Sequence, residues 1–505
     1  MPLFRPFPPD VGTPMQSSTE QTFSSAINGS SADVLNYEDS RLVPLWRAWM
    51  DVAGTQPLDK WLKTAVRPLA HSGPTSKPEY DEVKKHNKFK PAKTAVERNA
   101  GEAVDIRSLS LAMFSALRFQ QLAAALEHAY RTSLKASKPE DPELVIDWRH
   151  WDSAWQVRDL QAISPIAFWY WIQLRVQGDQ PKKNKAQLRD AEARREFFNN
   201  WITRLDPAEL PVFLLWHGLR PQWGDLLTAR QNLSGWSEKT LQQFIAQQVS
   251  TPPLWLRLQK NAQANQVANS LQQQGVMVSL GEQGLAAQGG AGVHSTQAYK
   301  EGLVEIQDLA SQQIAATVAA KPGQKVWDTC AGAGGKTLAI AAHMNNKGAL
   351  FATDLHAYKL DELKRRAKRA DIFNVRVFTW DGAEALRLPK EAAQQNGFDW
   401  VLIDAPCSSA GTWRRNPDAR WRFDPADTAE LVKLQQQLLA NAAPAVRRGG
   451  RLVYATCSWQ VSENEQQVQW FLAQHPGFTL ESQKLLGAPE LDSDTMFVAV
   501  MVKQA

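Results

Sequence analysis

The sequence predicts a multidomain α/β protein. Its C-terminal part reads as a doubly wound, mostly parallel sheet, preceded by a small α/β linker domain and an all-helical N-terminal domain. Three observations predict this. After residue 320, short β-rich runs alternate with helical patterns, the texture of a parallel sheet covered on both faces. Before residue 250, no strand-like alternation interrupts the helical periodicity. And 505 residues exceed what one hydrophobic core supports.

Residues 1–40 are rich in Pro, Ser, Thr and Gly without periodicity, and read as a disordered tail. Residues 41–250 form the expected helical domain. Helical patterns cover 42–70, 107–134, 152–176, 186–204, 207–217 and 237–248, with a polar, basic insert at 72–100. Ser250-Thr251-Pro252-Pro253 breaks the pattern and opens the linker, placed at 251–300, with a strand and then a helix ending at Gly275. The stretch GLVEIQDLASQQIAATVAA supplies another strand and helix. The catalytic domain is placed at 301–505. Its strands are KVWDTC, GALFATD, NVRVFTWD, DWVLIDAP and GRLVYATC, with helices at 337–344, 356–370, 428–447 and 463–474; TMFVAVMVK reads as an added edge strand.

Composition narrows the function classes. With 43% hydrophobic and 22% charged residues, the chain reads as an ordinary globular protein. Three cysteines without paired spacing argue against a disulfide framework or a zinc site. No run is read as reaching the ~18 apolar residues of a membrane span, and the N-terminus lacks the basic-then-apolar order of a signal peptide. A cytoplasmic, monomeric protein is the expectation. The net charge is +5, yet residues 301–505 hold 23 Lys+Arg and 23 Asp+Glu, so the whole excess belongs to residues 1–300. A neutral catalytic module with a basic module attached suits a nucleic-acid substrate. Of the 20 tryptophans, a few are candidates for stacking on bases.

Cofactor candidates cluster at strand ends. Asp328 and the loop Cys330-Ala331-Gly332-Ala333-Gly334-Gly335-Lys336 follow the first strand of the catalytic domain. A P-loop would need Gly where Cys330 stands, and a dinucleotide fingerprint would need Gly where Thr337 stands. Both fail by one residue, which leaves a small adenosyl ligand with no phosphate to cradle. Asp354 ends the second strand, 22 residues after Gly332, where a carboxylate can take both ribose hydroxyls. Asp381 ends the third and is placed for an adenine amino group. An acid closing each of three successive strands is the layout of an S-adenosylmethionine site.

The cysteines supply the chemistry. Asp404-Ala405-Pro406-Cys407 closes the fourth strand and Thr456-Cys457-Ser458 the fifth, both above the sheet beside the methyl donor. Carbon-5 of a pyrimidine is a poor nucleophile. A thiolate adding at carbon-6 makes it enamine-like, able to attack a sulfonium methyl. Cysteine suits this because a modest lowering of its pKa activates it and it leaves easily. Asp404 can bind the N3 and amino edge of the base. A second cysteine can help expel the first once the carbon-5 proton is lost.

These residues resemble the RNA cytosine-C5 methyltransferases, most closely the bacterial small-subunit rRNA members, the Sun/RsmB group. The matching stretches are PLWLRLQKN, GLVEIQDLASQ, DTCAGAGGKT, TDLH, WDG, DAPCSSAGTWRRNPDARWR and ATCS followed by ENE, covering roughly Pro253 to the C-terminus. The resemblance implies a class I methyltransferase domain, a NusB-like RNA-binding domain at 41–250 and an RNA-binding linker. It implies Cys457 as nucleophile, Cys407 as the aid to product release, and Lys336 and Asp404 facing the cytosine. The chain departs from the family where Ala331-Gly332-Ala333-Gly334 replaces the common Ala-Ala-Pro-Gly, and where Asp494-Thr495-Met496-Phe497 only roughly follows Asp-Gly-Phe-Phe.

RNA contacts are expected from Arg414, Arg415 and Arg420 at the mouth of the site, with Trp413 or Trp421 stacking on bases. Arg257 and Asn261 match linker positions near RNA in relatives. Lys84, Lys85, Lys88, Lys90 and Lys93 form a further basic patch, with Lys182, Lys183 and Lys185 weaker; Lys364–Arg369 reads as a solvated helix face. The expected partner is RNA, ribosomal before transfer. The competing readings are a catalytically silent RNA-binding or assembly factor on the same fold and, opposed by the broken fingerprint, a nucleotide-dependent oxidoreductase.

Overall fold

The computed structural model describes residues 40–52, 56–65, 95–135, 146–178, 188–288 and 292–504. The expected tail at 1–40, apart from its last residue, most of the 72–100 insert and the lysines at 84–93 and 182–185 lie outside them.

The N-terminal half is helical. Its axis is one helix, Ala95–Lys135, against which Leu42–Met50, Pro165–Gln177, Ala191–Thr203 and Leu210–Trp216 pack. That helix begins inside the segment read as a polar insert. Its stretch Ser108–Lys135 is long and apolar enough to cross a bilayer, which corrects the reading of no such run, but 72% of its apolar 18-residue window is buried inside the protein. The expected helix at 152–176 is broken in two: Ser164 caps the N-terminus of Pro165–Gln177, and a short 3-10 turn precedes it. A second helical group, Leu210–Trp216, Gly224–Ser234 and Glu238–Gln247, builds a separate core with Ala410, Trp413 and Trp459 of the catalytic domain.

The linker is a four-stranded sheet of β1 (Leu254–Leu258), β2 (Val278–Gly281), β3 (Gly284–Ala287) and β4 (Val304–Ile306), in the order β2-β3-β1-β4. Helix Ala264–Gln273 buries Val267, Ala268 and Leu271 in the core beneath it. Since β4 pairs with β1, this sheet runs past the expected boundary at 300. The hairpin β2–β3 lies where the sequence shows a glycine-rich stretch.

The catalytic sheet has seven strands, β5 (Lys325–Asp328), β6 (Ala349–Asp354), β7 (Val375–Thr379), β8 (Phe398–Asp404), β9 (Val446–Thr456), β10 (Phe478–Leu486) and β11 (Met496–Lys503). Their order is β10-β11-β9-β8-β5-β6-β7. The pairs from β9 to β7 are parallel; β11 is antiparallel to both neighbours. The run read as an edge strand, β11, is therefore interior, and β10 is the edge. The chain winds outward from β5 in one direction and from β8 in the other, so the crevice between β5 and β8 is the switch point where ligands bind in this architecture.

Candidate active site

Parallel register sets the site. Asp328 on β5 lies beside Ala352 on β6 and Leu402 on β8, and Asp404 on β8 beside Ala455 on β9. The loops that leave these carboxyl ends therefore share one edge of the sheet.

On the β5 side, the loop turns at Gly332 (φ +54°) and Gly334 (φ +89°), then becomes the N-terminus of helix Gly335–His343. A Cβ at Gly334 would lie 2.5 Å from Leu363, so only glycine fits there. Asp354 anchors the loop: its Oδ2 accepts from Gly332 N at 3.0 Å and its Oδ1 from His356 N at 2.9 Å. Lys359 Nζ lies 3.5 Å from Oδ1, and Oδ2 keeps a lone pair for another donor. Trp380 N reaches Asp354 O at 3.4 Å, which brings Asp381, exposed at the end of β7, next to Asp354. Asp328 lies deeper. Its Oδ2 accepts from Thr337 Oγ1 at 2.6 Å, while its Oδ1 is buried without a partner. Burial raises the Asp328 carboxyl to about 7 against the opposing Thr337 bond. A glycine cradle, an exposed acid beside an anchored one and an orphaned buried oxygen fit a small ligand rich in hydroxyls and amines. Cys330 is no candidate nucleophile. It packs against the core under β5 and β8, and burial pushes its thiol up to about 12.

The β8–β9 side brings together the residues expected to be catalytic. Cys407 and Cys457 face each other with Sγ atoms 3.3 Å apart, both reduced. Lys336 reaches across to Asp404, Nζ to Oδ2 2.7 Å. Burial opposes the Lys336 charge, but Asp404 and then Cys457 outweigh it and hold the ammonium above its ordinary range. The two thiols divide. The hydrogen bond between them, and then burial, push Cys407 well up. The same bond lowers Cys457; burial and the Asp404 charge oppose it, while Ser409 Oγ at 3.4 Å and the Lys336 charge add to the lowering. The directions separate the two thiols, Cys457 lowered and Cys407 raised, which makes Cys457 the more readily ionised of the pair.

Sequence reasoning missed the frame that sets this distance. Glu463, fully buried, accepts from Ser408 N at 2.7 Å, Ser408 Oγ at 2.5 Å and Gln435 Nε2 at 3.2 Å, tying the Cys407 loop to the turn beyond Cys457. Asn464 does the same within the Cys457 loop, accepting from Thr456 Oγ1 at 2.5 Å and donating to Ser458 O at 2.9 Å. Gly411 N donates to Cys457 O at 2.9 Å, and a Cβ at Gly411 would lie 1.7 Å from Thr495 O. Its signal in the sequence is the ENE that follows ATCS.

The expected RNA contacts are corrected. Arg414 is buried, its guanidinium on Ser250 O, Ser250 Oγ, Ser493 O and Asp492. Arg420, also buried, donates to the carbonyls of Gly218, Gln248 and Trp413. Arg415 pairs with Asp308 and Asp494 and donates to Pro252 O and Pro253 O. These three arginines join the domains, because the carbonyls and carboxylates gathered at that seam need donors. Trp413 is fully buried, and Trp421 packs against Trp155 and Trp223. Arg257 is half-buried on Gln307 Oε1 at 2.6 Å, and burial lowers it to about 10. Of the five expected RNA residues, Asn261 alone is exposed, in a turn at φ +54°. The Lys364–Arg369 face is half solvated: Arg366 and Arg369 hold the buried Glu305 of β4, while Lys364 pairs with Asp361.

The seven-stranded sheet, its switch-point crevice and the glycine loop make the C-terminal region a Rossmann-like methyltransferase fold of the S-adenosylmethionine-dependent class. The family model for the 16S rRNA methyltransferase RsmB/F matches residues 315–501. A ribosomal RNA small subunit methyltransferase B of Photorhabdus laumondii is 32% identical over 299 residues, covering 57% of this chain and 67% of the relative. The chain belongs to the RsmB/F methyltransferase family. A probable ribosomal RNA small subunit methyltransferase B of Bacillus subtilis strain 168 is 37% identical over 186 residues, 37% of this chain and 41% of that relative, so this match spans under half of its length. The crystal structure of PH0851 shares the fold, with a TM-score of 0.56 and 24% identity over 81% of this chain and 94% of that one.

Proposed function

We propose that this chain methylates carbon-5 of a cytosine in small-subunit ribosomal RNA through a covalent bond between Cys457 and carbon-6 of the base. The observation that carries the reading is the pair of facing thiols, 3.3 Å apart, beside the Lys336–Asp404 ion pair at the carboxyl ends of β8 and β9. When bound, S-adenosylmethionine supplies an electrophilic methyl group at that edge. Asp354 and Asp381 would hold its ribose and adenine, with the loop at Ala331–Gly335 passing close to it.

The residues divide the work. Cys457, held as thiolate, adds to carbon-6 and moves electron density to carbon-5. N3 takes up a proton from solvent as the thiolate adds, and Asp404, oriented by Lys336, accepts from the protonated N3 and the amino group, so that the density moved onto the ring is neutralised as it forms. Once carbon-5 carries the methyl group and S-adenosylhomocysteine has left, the carbon-5 proton passes to a solvent water, and its electron pair re-forms the 5,6 double bond as the Cys457–carbon-6 bond breaks. The Cys407 thiol then donates its hydrogen bond to the departing sulfur. Support for ribosomal RNA comes from the relatives' names, and support for covalent chemistry from the unequal thiols.

The test is methyl transfer from labelled S-adenosylmethionine to unmodified 16S rRNA, 23S rRNA and tRNA, followed by nucleoside analysis. Label appearing as 5-methylcytidine in 16S rRNA is the expected result. Label on another base or another RNA overturns that part of the proposal. No label from wild type, with ligand binding intact, favours a binding factor.

A further inference from the structure

The helical half is expected to bring RNA to the site, yet one of its side chains reaches the catalytic loops. Arg230, on helix Gly224–Ser234, has a side chain only 1% exposed. Its Nε donates to Trp459 O at 2.6 Å, two residues beyond Cys457. Its Nη1 and Nη2 grip Glu465 at 2.7 and 2.9 Å, immediately after Asn464. One guanidinium therefore holds both ends of the turn that runs from Cys457 to the Glu463–Asn464 frame. The planar fork makes this possible with three separate nitrogens; a lysine carries its donors on one nitrogen and cannot reproduce that bidentate geometry. The surrounding core points the same way. Trp459 stands edge-on to Phe244 of the helical half and to Trp413 of the Cys407 loop, with ring centroids 6.1 and 5.7 Å apart.

We propose that Arg230 is a positioning residue for methyl transfer, by which the helical domain sets the placement of Cys457 against Cys407. The proposal rests on the reading of Cys457 as nucleophile. It goes further in making the N-terminal domain part of the catalytic geometry rather than a module for binding alone. The chain of contacts is short: Arg230 fixes Trp459 O and Glu465, Asn464 holds Thr456 and Ser458 on either side of Cys457, and Glu463 holds Ser408 beside Cys407. A misplacement near 1 Å in such a pair is enough to cost roughly 100-fold in rate.

The test compares full-length wild type, Arg230→Lys, Arg230→Met and the double variant Arg230→Met/Glu465→Leu. The double variant removes the buried pair without leaving a lone charge, so it should fold even where the single Met variant does not. Three quantities are read: kcat against KM for methyl transfer, the pH dependence of Cys457 alkylation by iodoacetamide, and the melting temperature. The expected result is a fall in kcat of roughly 10- to 100-fold with KM for S-adenosylmethionine unchanged. The alkylation profile should also move to higher pH in the double variant and be partly restored in Arg230→Lys. A double variant with wild-type kcat and alkylation profile, whatever its melting temperature, overturns the proposal. The alkylation profile needs no turnover, so a wild type that methylates nothing would refute the proposed function while leaving this inference decidable.

Discussion

Replacing Arg415 by methionine separates the two meanings of the arginine run. In wild type its guanidinium lies on Asp308 and Asp494, whose side chains are 9% and 6% exposed, and on two proline carbonyls. Methionine keeps most of the volume but removes the counter-charge of two buried carboxylates: Asp308 keeps the backbone donors Ala310 N and Asp494 N, while the Asp494 side chain loses the guanidinium that both its oxygens accept from. Breaking a buried pair by removing one partner costs about 3–5 kcal/mol. For a cooperative unit of about 150–250 residues that is roughly a 6–20 °C drop in melting temperature. The loss should depend on pH. Burial and then the neighbouring Asp308 already raise Asp494 to about 6, against the pull of Arg415. Without Arg415 it rises further, so the deficit is largest above neutral pH and shrinks as acid protonates Asp494. Thermal unfolding of both proteins across pH, with filter binding of 16S rRNA below the transition, reads both effects. An unchanged melting temperature with lost RNA affinity would refute the structural account of Arg415 and restore it as an RNA contact.

Other predictions follow from the same geometry. Asp328 carries a folded pKa of about 7, above the ordinary carboxylate value, so its contribution to stability is full in acid and is lost as pH rises through about 7. Asp328→Asn should flatten the fall in melting temperature between mildly acidic and neutral pH, and an unchanged slope would contradict the assignment. Cys407→Ala removes the donor that lowers Cys457, so the alkylation profile of Cys457 should move to higher pH; an unmoved profile argues against thiol–thiol coupling. Glu463→Gln keeps the shape but weakens the charge-assisted bonds to Ser408. Its kcat should fall by about 10-fold or more for a loss of ~1.5–3 kcal/mol, with S-adenosylmethionine binding unaffected in calorimetry.

What the sequence reveals and conceals has physical reasons. The parallel strands are legible because burial on both faces forces continuous apolar runs, as in β6 and β8. The candidate residues Asp404, Cys407 and Cys457 are legible because each lies at or just beyond the end of such a run, and parallel register then brings them to one edge. The edge strand β10 is not: its middle six residues are exposed, so no alternation marks it. Helix Gly224–Ser234 escapes for a similar reason, as its GDLLTARQNLS has no clear stripe, although it carries Arg230. The arginines were misread because their partners are remote. Asp494 and Asp308 lie 79 and 107 residues from Arg415, and a local run of charge says nothing about which acids the fold will bring to it. The same holds for Glu463, whose bond to Ser408 spans 55 residues.

The central claim is that Cys457 attacks the base and Cys407 releases it. The most direct measurement is denaturing electrophoresis of Cys407→Ala and Cys457→Ala after incubation with S-adenosylmethionine and unmodified 16S rRNA, followed by peptide mapping of any protein that co-migrates with RNA. A covalent adduct in Cys407→Ala mapped to the peptide containing Cys457, with none in Cys457→Ala, is the predicted result. An adduct through Cys407, or methyl transfer by Cys457→Ala at the wild-type rate, would contradict it.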